Sequence, residues 1–187
     1  NYKPLENVVV SHVKDSSTLI CRKPSKNSVK SYIEEELIDG LCCYSAVNQG
    51  QLNKEIVDAV VHHLEKERLP TVPRSIRHKY MGAFLLAATE ITQMDKVVPK
   101  VSGVESWELT FKLCRRWGYQ IKKIPKDRCI IVGAMGNFHG RTVAAVSMSD
   151  DPDSRNDFGP FIPGIELVPY NDLDALKNIF EEKGEYI

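Results

Sequence analysis

The residues best suited to do chemistry stand at the start of a helical pattern that covers residues 102–119. Ser102 and Glu105 form a capping-box pattern, in which the hydroxyl accepts a hydrogen bond from one free backbone N–H and the carboxylate reaches back to another. Gly103 lets another group approach the backbone, and the free N–H groups of a helix start can bind a phosphate or a carboxylate. An ordinary capped helix without a ligand fits the same pattern.

The end of this helix is also marked in the sequence. Arg115 and Arg116 are expected in the last turn, where the helix dipole favours positive charge. Gly118 is expected to adopt the left-handed conformation that ends many helices. The sequence therefore predicts that the helix stops at this glycine.

A second group of candidate residues, 137–141 (NFHGR), directly follows the continuous apolar run of residues 129–134. Phe138 could stack on a planar ligand, and Arg141 could hold a carboxylate through two parallel hydrogen bonds. A structural turn with a surface arginine is the alternative interpretation.

Both groups are predicted at one edge of a sheet. Residues 129–134 and 165–168 are apolar, strand-like runs, and helical patterns alternate with them. This alternation is typical of a parallel sheet that helices cover on both faces. Ligands of such sheets bind at the carboxyl ends of strands, beside helix N-termini. The turn at Ser102 and the turn at residues 136–141 are candidates for that edge.

Three further helices are predicted from apolar residues at helical spacing. They cover residues 54–69 with Asn53 as the cap, residues 79–94, and residues 171–182 with Asn171 as the cap. The side chains expected to face the interior from the second and third of these helices are Phe84, Leu85, Ala88, Ile91, Leu173, Leu176, Ile179 and Phe180.

The composition is that of an ordinary globular protein. Of the 187 residues, 42% are hydrophobic and 27% are charged, which is enough apolar content for a hydrophobic core. Lys plus Arg and Asp plus Glu number 25 each, so the net charge gives no reason to expect nucleic acid as a partner. The longest apolar runs are far too short to cross a bilayer, and no membrane span is expected.

The five cysteines are predicted to be reduced thiols. Their number is odd, and no Cys-x-x-Cys or mixed Cys/His cluster has zinc-binding spacing, so no metal site is expected. Reduced thiols are typical of a cytosolic or matrix-type compartment.

Several segments, in one consistent order along the chain, match a known family. They are residues 1–5 (NYKPL), 44–50 (YSAVNQG), 103–105 (GVE), 112–119 (KLCRRWGY), 137–142 (NFHGRT), 158–161 (FGPF) and 169–173 (PYNDL). Through them the chain resembles the ornithine aminotransferases, pyridoxal-phosphate enzymes of class III with the fold-type-I architecture. The segments 44–50 and 158–173 are close to ornithine-specific.

The resemblance implies how the cofactor would be held. Ser102, Gly103 and Val104 would occupy the turn whose N–H groups bind the cofactor phosphate. Phe138 would stack on the pyridine ring. The chemical reading of the residues themselves agrees at Ser102, Gly103 and Phe138.

The resemblance also implies how the substrate would be held. Arg141 would bind the substrate α-carboxylate, in agreement with the chemistry of its guanidinium. Tyr2 and Tyr44 would line the substrate pocket, a role that the residues alone do not suggest.

The chain also departs from the family's pattern. The resemblance covers only the N-terminal half of the family, and the lysine that attaches the cofactor belongs to the other half, so no catalytic residue is expected within this chain. Trp107 replaces a small residue in the first turn of the helix, where it could block the cofactor or point outward. His139 stands where the family has tryptophan. Pyridoxal phosphate is therefore expected to be absent or not covalently bound.

These departures favour one function over two alternatives. The favoured interpretation is a catalytically inactive, ornithine-aminotransferase-like chain, retained as a structural or interaction subunit of a larger assembly with other protein chains. The first alternative is the N-terminal part of an active enzyme that transfers the δ-amino group of ornithine to 2-oxoglutarate. The second is a small module that binds an anion or metabolite at residues 102–104. The resemblance implies a mitochondrial location, with a cytoplasmic one as the alternative.

The predicted fold is of the α/β class. An incomplete fold-type-I large domain, with a parallel sheet and flanking helices, is expected over residues 51–187. A small N-terminal α+β segment is expected over residues 1–50, with short strands at residues 7–13 and 18–22.

Overall fold

The computed structural model of the chain describes residues 9–24, 32–73 and 75–187. These residues form two compact units, the first ending at Lys79 and the second covering Tyr80–Ile187. The boundary predicted after residue 50 lies inside the first unit. No helix in the described ranges is long and apolar enough to cross a bilayer.

The first unit contains an antiparallel sheet and two helices. Strands β1 (Val9–Asp15), β2 (Thr18–Pro24) and β3 (Tyr32–Ile38) lie in chain order in the sheet, and α1 (Cys42–Ser45) and α2 (Lys54–Glu65) follow. The predicted cap of α2 is confirmed, because the Asn53 side chain accepts hydrogen bonds from two N–H groups of the first turn. The helix ends four residues before the predicted end at residue 69.

Strand β3 has no counterpart in the sequence prediction. Its three consecutive glutamates, residues 34–36, interrupt the apolar alternation that marks a strand. In the folded chain, Arg22 pairs with Glu34 at 3.0 Å and Lys14 pairs with Glu36 at 2.6 Å. An ion pair with the neighbouring strand β2 and another with β1 thus accompany the pairing of a strand whose own sequence looks polar.

The second unit has the predicted α/β order. It consists of α3 (Met81–Thr92), α4 (Gly103–Gln120), β4 (Ile131–Ala134), α5 (Val143–Ser147), α6 (Pro152–Arg155), β5 (Ile165–Val168) and α7 (Leu173–Lys183). Strands β4 and β5 pair in parallel, with Ile131 opposite Ile165 and Ala134 opposite Val168. The α/β class and the parallel sheet are therefore confirmed.

The predicted end of α4 at Gly118 is wrong. The helix continues to Gln120, and Gly118 is a buried interior residue. A Cβ at Gly118 would lie 2.8 Å from the Cys129 sulfur and 3.1 Å from the Ile124 side chain. The glycine is needed for close packing of the helix on the chain that enters β4, and not for a left-handed turn.

Arg115 and Arg116 consequently do not cap the last turn of α4, which contains no basic residue. Arg115 instead donates a hydrogen bond to the backbone oxygen of Pro163. Its guanidinium lies over the ring of Phe111, 4.5 Å from the centroid. A hydrogen bond to a residue distant in sequence thus takes the place of the interaction with the helix dipole that the pattern suggested.

Several predicted interior positions are exposed. The exposed fraction is 75% for Leu173 and 83% for Ile91. Leu176 and Ile179 are half-buried, as is Leu85, whereas Phe84 and Phe180 are exposed. A helical apolar pattern shows which face is apolar but not what covers that face. The prediction of inward-facing side chains is wrong at these exposed positions.

Helix α7 also begins later than predicted. Its cap is Asp172, whose carboxylate accepts a hydrogen bond from the N–H of Ala175 at 2.8 Å. Asn171 precedes the cap with a positive φ of 60°. Both residues are good helix caps, and only the backbone conformation distinguishes them.

We expect Gly118→Ala to lower the free energy of unfolding by about 1–3 kcal/mol, because the added methyl overlaps the buried Cys129 side chain. Urea unfolding followed by circular dichroism measures the change. Gly82→Ala is the matched control in α3, since no heavy atom lies within 4 Å of its Cβ position. The control should be neutral or stabilising by up to about 1 kcal/mol. Equal stability of the two variants would contradict the packing role of Gly118.

Candidate functional site

The first turn of α4 forms one side of the candidate site. The Ser102 hydroxyl accepts a hydrogen bond from the N–H of Glu105 at 3.4 Å. The Glu105 carboxylate accepts one from the N–H of Val101 at 3.0 Å, one residue before the cap. The capping box is confirmed at the serine, while the glutamate reaches one residue further back than the pattern specifies. Neither side chain uses the N–H groups of Gly103 and Val104, which have no acceptor within a helix.

The backbone at Gly103 is open to a ligand. Apart from its chain neighbours and the backbone of its own helix, no heavy atom lies within 4 Å of the position that its Cβ would occupy. The residue is exposed and belongs to the first turn of the helix. Free N–H groups and the positive end of the helix dipole therefore coincide with empty space.

The loop between β4 and α5, residues 135–141, forms the other side and is called the site loop below. The Asn137 side-chain amide donates to the backbone oxygens of Ala134 at 2.6 Å and Met148 at 2.8 Å. These bonds tie the site loop to the end of β4 and to the residue that follows α5. Thr142 then caps α5, accepting a hydrogen bond from the N–H of Ala145 at 3.2 Å.

Gly140 brings the site loop onto the first turn of α4. A Cβ at Gly140 would lie only 2.6 Å from the Cβ of Val104, and its φ is +124°. Only glycine combines this conformation with so close an approach. The structure thus brings together two of the predicted segments, residues 102–104 and residues 137–141.

The two side chains with predicted ligand contacts in the site loop point away from the protein interior. Phe138 is 72% exposed, and Arg141 is also exposed. Within residues 9–24, 32–73 and 75–187, Arg141 takes part in no ion pair. A planar ring and a guanidinium are therefore available on the loop that contacts the helix start.

Trp107 lies beside the site loop. Its indole stacks on the imidazole of His139, with centroids 5.0 Å apart and planes at 15°. It also contacts the ring of Phe111, 5.2 Å away. Because no atom lies within 4 Å of the Cβ position of Gly103, the indole does not fill the space over that backbone. Burial lowers the pKa of His139 below its ordinary value of 6.5, which favours a neutral ring at pH 7.

The two tyrosines assigned to the substrate pocket are not tested by this geometry. Tyr2 lies outside the described residues. Tyr44 belongs to the first unit, is 71% exposed and has a φ of +55°. The turn that contains Tyr44 is stabilised by Asp39. The Asp39 carboxylate accepts hydrogen bonds from the N–H of Cys42 at 2.9 Å and from the side chain of Gln51 at 2.8 Å.

Sequence reasoning missed the residues that hold the site together. Asn137 and Gly140 were recognised as parts of a motif, but their contacts with Met148 and Val104 join segments distant in sequence. Among these residues, only Gly140 gave a sequence signal for a close contact, since a glycine beside a candidate ligand-binding residue often marks close backbone approach. No other sequence feature indicates the partner.

A family model for class-III aminotransferases matches residues 10–185. The chain belongs to the class-III aminotransferase family. The ornithine aminotransferase of Oceanobacillus iheyensis is 37% identical over 182 residues, covering 97% of this chain and 42% of the relative. The mitochondrial ornithine aminotransferase of Arabidopsis thaliana is 45% identical over 153 residues, covering 80% of this chain and 31% of the relative.

The solved structures of this aminotransferase family agree with the fold. The ornithine aminotransferase from Toxoplasma gondii superposes with a TM-score of 0.81 at 29% identity, covering 97% of this chain and 40% of that chain. This aminotransferase-like chain therefore spans about two fifths of the length of such relatives. The fold-type-I architecture is confirmed for the N-terminal part that it represents.

The lowered pKa of His139 gives a pH prediction. The unfolded chain takes up this proton more readily, so the stability contributed by the neutral ring is present above about pH 6.5 and lost as pH falls through the folded-state pKa. His139→Phe keeps an aromatic ring, and its melting temperature should decline less than that of the parent between about pH 8 and about pH 5. Thermal unfolding across this range measures the effect.

His12→Phe is the matched control, because His12 is exposed on β1 of the first unit. The melting temperature of this control should decline with falling pH as much as that of the parent. An unchanged acid decline in His139→Phe would show that burial of this imidazole has no effect on stability.

Proposed function

We propose that this chain provides the cofactor-phosphate and substrate-carboxylate contacts of a pyridoxal-phosphate-dependent ornithine aminotransferase. The observation that carries the proposal is the contact of Gly140 with Val104. This contact brings the open helix start next to the loop with Phe138 and Arg141, which supports one shared site. The relatives are named ornithine aminotransferases, and the reaction that the resemblance implies is the transfer of the δ-amino group of ornithine to 2-oxoglutarate.

The residues present fit the phosphate of pyridoxal phosphate. A phosphate needs several N–H donors and a close approach to the backbone. Gly103 and Val104 provide free N–H groups at the positive end of an eighteen-residue helix, and the space over Gly103 is empty. Ser102 shapes this turn through its capping bond to Glu105.

The residues of the site loop fit the remaining contacts. The exposed ring of Phe138 can lie against a pyridine face, and the Arg141 guanidinium can bind a carboxylate with two hydrogen bonds. When bound, pyridoxal phosphate supplies the electron-accepting ring and the carbonyl that carries an amino group from one substrate to the next. The residues of this chain bind and orient; covalent attachment of the cofactor is assigned to no residue among them.

The exposed apolar surface of the second unit supports a covering polypeptide. A cavity of about 780 Å³ lies between α4, β4, β5 and α7, with Leu113, Trp117, Leu176 and Phe180 among its lining residues. Strand β4 also has a second edge. The N–H of Ile130 donates to the backbone oxygen of Tyr186 at 2.7 Å, on the side opposite β5. We propose that further strands and helices of the same fold, in the same or another polypeptide, cover this surface.

A structural or interaction subunit without catalysis is the second candidate. It is favoured by the indole of Trp107, which occupies the side of α4 facing the site loop. Both candidates require a covering polypeptide, and they differ in whether the cofactor binds. A mitochondrial location is part of the proposal, supported by mitochondrial relatives in Arabidopsis thaliana and Rattus norvegicus.

We expect Gly103→Ala to weaken pyridoxal-phosphate binding about tenfold, because the methyl intrudes on the space of the phosphate. Its folding stability should be unchanged or slightly higher, since the methyl meets no protein atom. The chain, coexpressed with any polypeptide that copurifies with it, is titrated with the cofactor and followed by absorbance. Gly82→Ala is the control and should bind like the parent. Absence of binding by the parent itself would remove the proposal and favour the structural subunit.

We expect Arg141→Lys to raise the KM for ornithine about tenfold to a hundredfold, because a lysine ammonium cannot form the bidentate pair with the α-carboxylate. The assay follows glutamate semialdehyde formed by the native protein. Arg116→Lys, at an exposed position of α4, should leave KM unchanged. A normal KM in Arg141→Lys would exclude this residue from carboxylate binding.

A further inference from the structure

Trp107 belongs to a column of four side chains along one face of α4. Its indole stacks on His139 at one end and contacts Phe111 one turn further along the helix. The Arg115 guanidinium continues the column, 4.5 Å from the centre of the Phe111 ring. Because Trp107, Phe111 and Arg115 are each four residues apart, they share one face of the helix. This set is called the aromatic column below.

Both ends of the aromatic column are tied to other segments. Arg115 donates to the backbone oxygen of Pro163, next to the residue whose oxygen accepts from the first N–H of β4. Phe111, in the middle, is only 5% exposed. At the other end, His139 belongs to the site loop. The aromatic column therefore connects the site loop to the core of the second unit.

The site loop is held through residues that neighbour the ligand-binding side chains. Asn137 is fixed by two hydrogen bonds, His139 by its stack and Gly140 by its contact with Val104. In the described part of the chain, neither Phe138 nor Arg141 has a ring contact or ion pair of its own. The positions of these two side chains therefore depend on how firmly their neighbours are fixed.

The stack also accounts jointly for two departures from the family's pattern. By resemblance to the ornithine aminotransferases, Trp107 stands in place of a small residue and His139 in place of a tryptophan. In this chain the larger ring comes from the helix and the smaller ring from the loop, and the two rings are in direct contact. The pair thus places one indole between α4 and the site loop.

We propose that Trp107 is a positioning residue, which sets Phe138 and Arg141 for the ligand through its stack with His139. This inference rests on the proposed function, because the ligand that reports it is pyridoxal phosphate. The stack affects the contact between the site loop and the ring of the cofactor. It does not act on the phosphate contact, which α4 makes with its own backbone N–H groups.

The test compares two ligands that share only the phosphate contact. We expect Trp107→Ala to weaken pyridoxal-phosphate binding about three- to tenfold and to leave inorganic phosphate binding unchanged. Trp107→Phe keeps an aromatic ring and should recover most of the lost affinity. Calorimetry on the full chain, with any copurifying polypeptide, measures both affinities. A loss of folded protein alone would lower the binding of the two ligands equally.

A second arm tests the partner and the specificity of the effect. His139→Ala should reproduce the loss, and the double variant should lose no more than either single variant, because both changes remove the same stack. Phe84→Ala is the matched control, because Phe84 is an exposed aromatic residue of α3 that does not line the apolar cavity and has no contact with the aromatic column. It should bind both ligands like the parent.

The outcomes separate this inference from the proposed function. If the parent binds pyridoxal phosphate and Trp107→Ala binds it equally well, the positioning role is overturned and the proposed function stands. Losses that are additive, or equal for both ligands, also overturn the positioning role. If no variant and no parent preparation binds pyridoxal phosphate, the proposed function fails and this inference fails with it.

Discussion

The candidate site depends on a glycine at position 140, where any side chain would be too large. A Cβ there would overlap Val104, and the positive φ of +124° would strain any other residue. Without this approach, the exposed helix start at Gly103 and the exposed side chains of Phe138 and Arg141 would be separate surface features. With it, the proposed anion site and the arginine proposed to bind a carboxylate lie on neighbouring segments. The chemistry proposed for the chain follows from one close backbone contact.

Helix α4 is the element that holds the second unit together around this contact. Its first turn offers free N–H groups, and its middle packs through the buried Phe111. Near its end, Gly118 lets the helix lie directly against Cys129, at the entry to β4. Within β4, Gly133 gives Met148 the same kind of access. Small residues at crossing points bring helix and strand close enough for the site loop to reach the helix start.

The described sheet of the second unit has two strands, and much apolar surface beside it is exposed. Side chains such as Leu173 and Phe180 form the correct apolar face of an amphipathic helix, yet solvent reaches them. Exposed apolar surface of this extent usually marks an interface. The relatives named above are more than twice as long as the region that they match. The exposed surface thus supports the proposal that further polypeptide covers it.

The sequence by itself determined the features that are encoded within a few residues. Ser102 and Asn53 were identified as caps because a cap bonds to N–H groups two or three positions away. The strand at residues 165–168 and the alternation of strands and helices followed from local apolar patterns. The family motifs, read in order, gave the class of enzyme and the fold.

Only the tertiary structure decided the rest, because the deciding contacts join residues far apart in the chain. Gly118 looks like a helix terminator until Cys129 is seen beside it. Strand β3 looks too polar until Arg22 and Lys14 meet its glutamates. The direction of the Trp107 side chain is undecided in the sequence until its ring is found on His139. Local sequence patterns show which side chains and backbone groups need a contact. The tertiary fold determines which residue makes that contact and therefore where each side chain points.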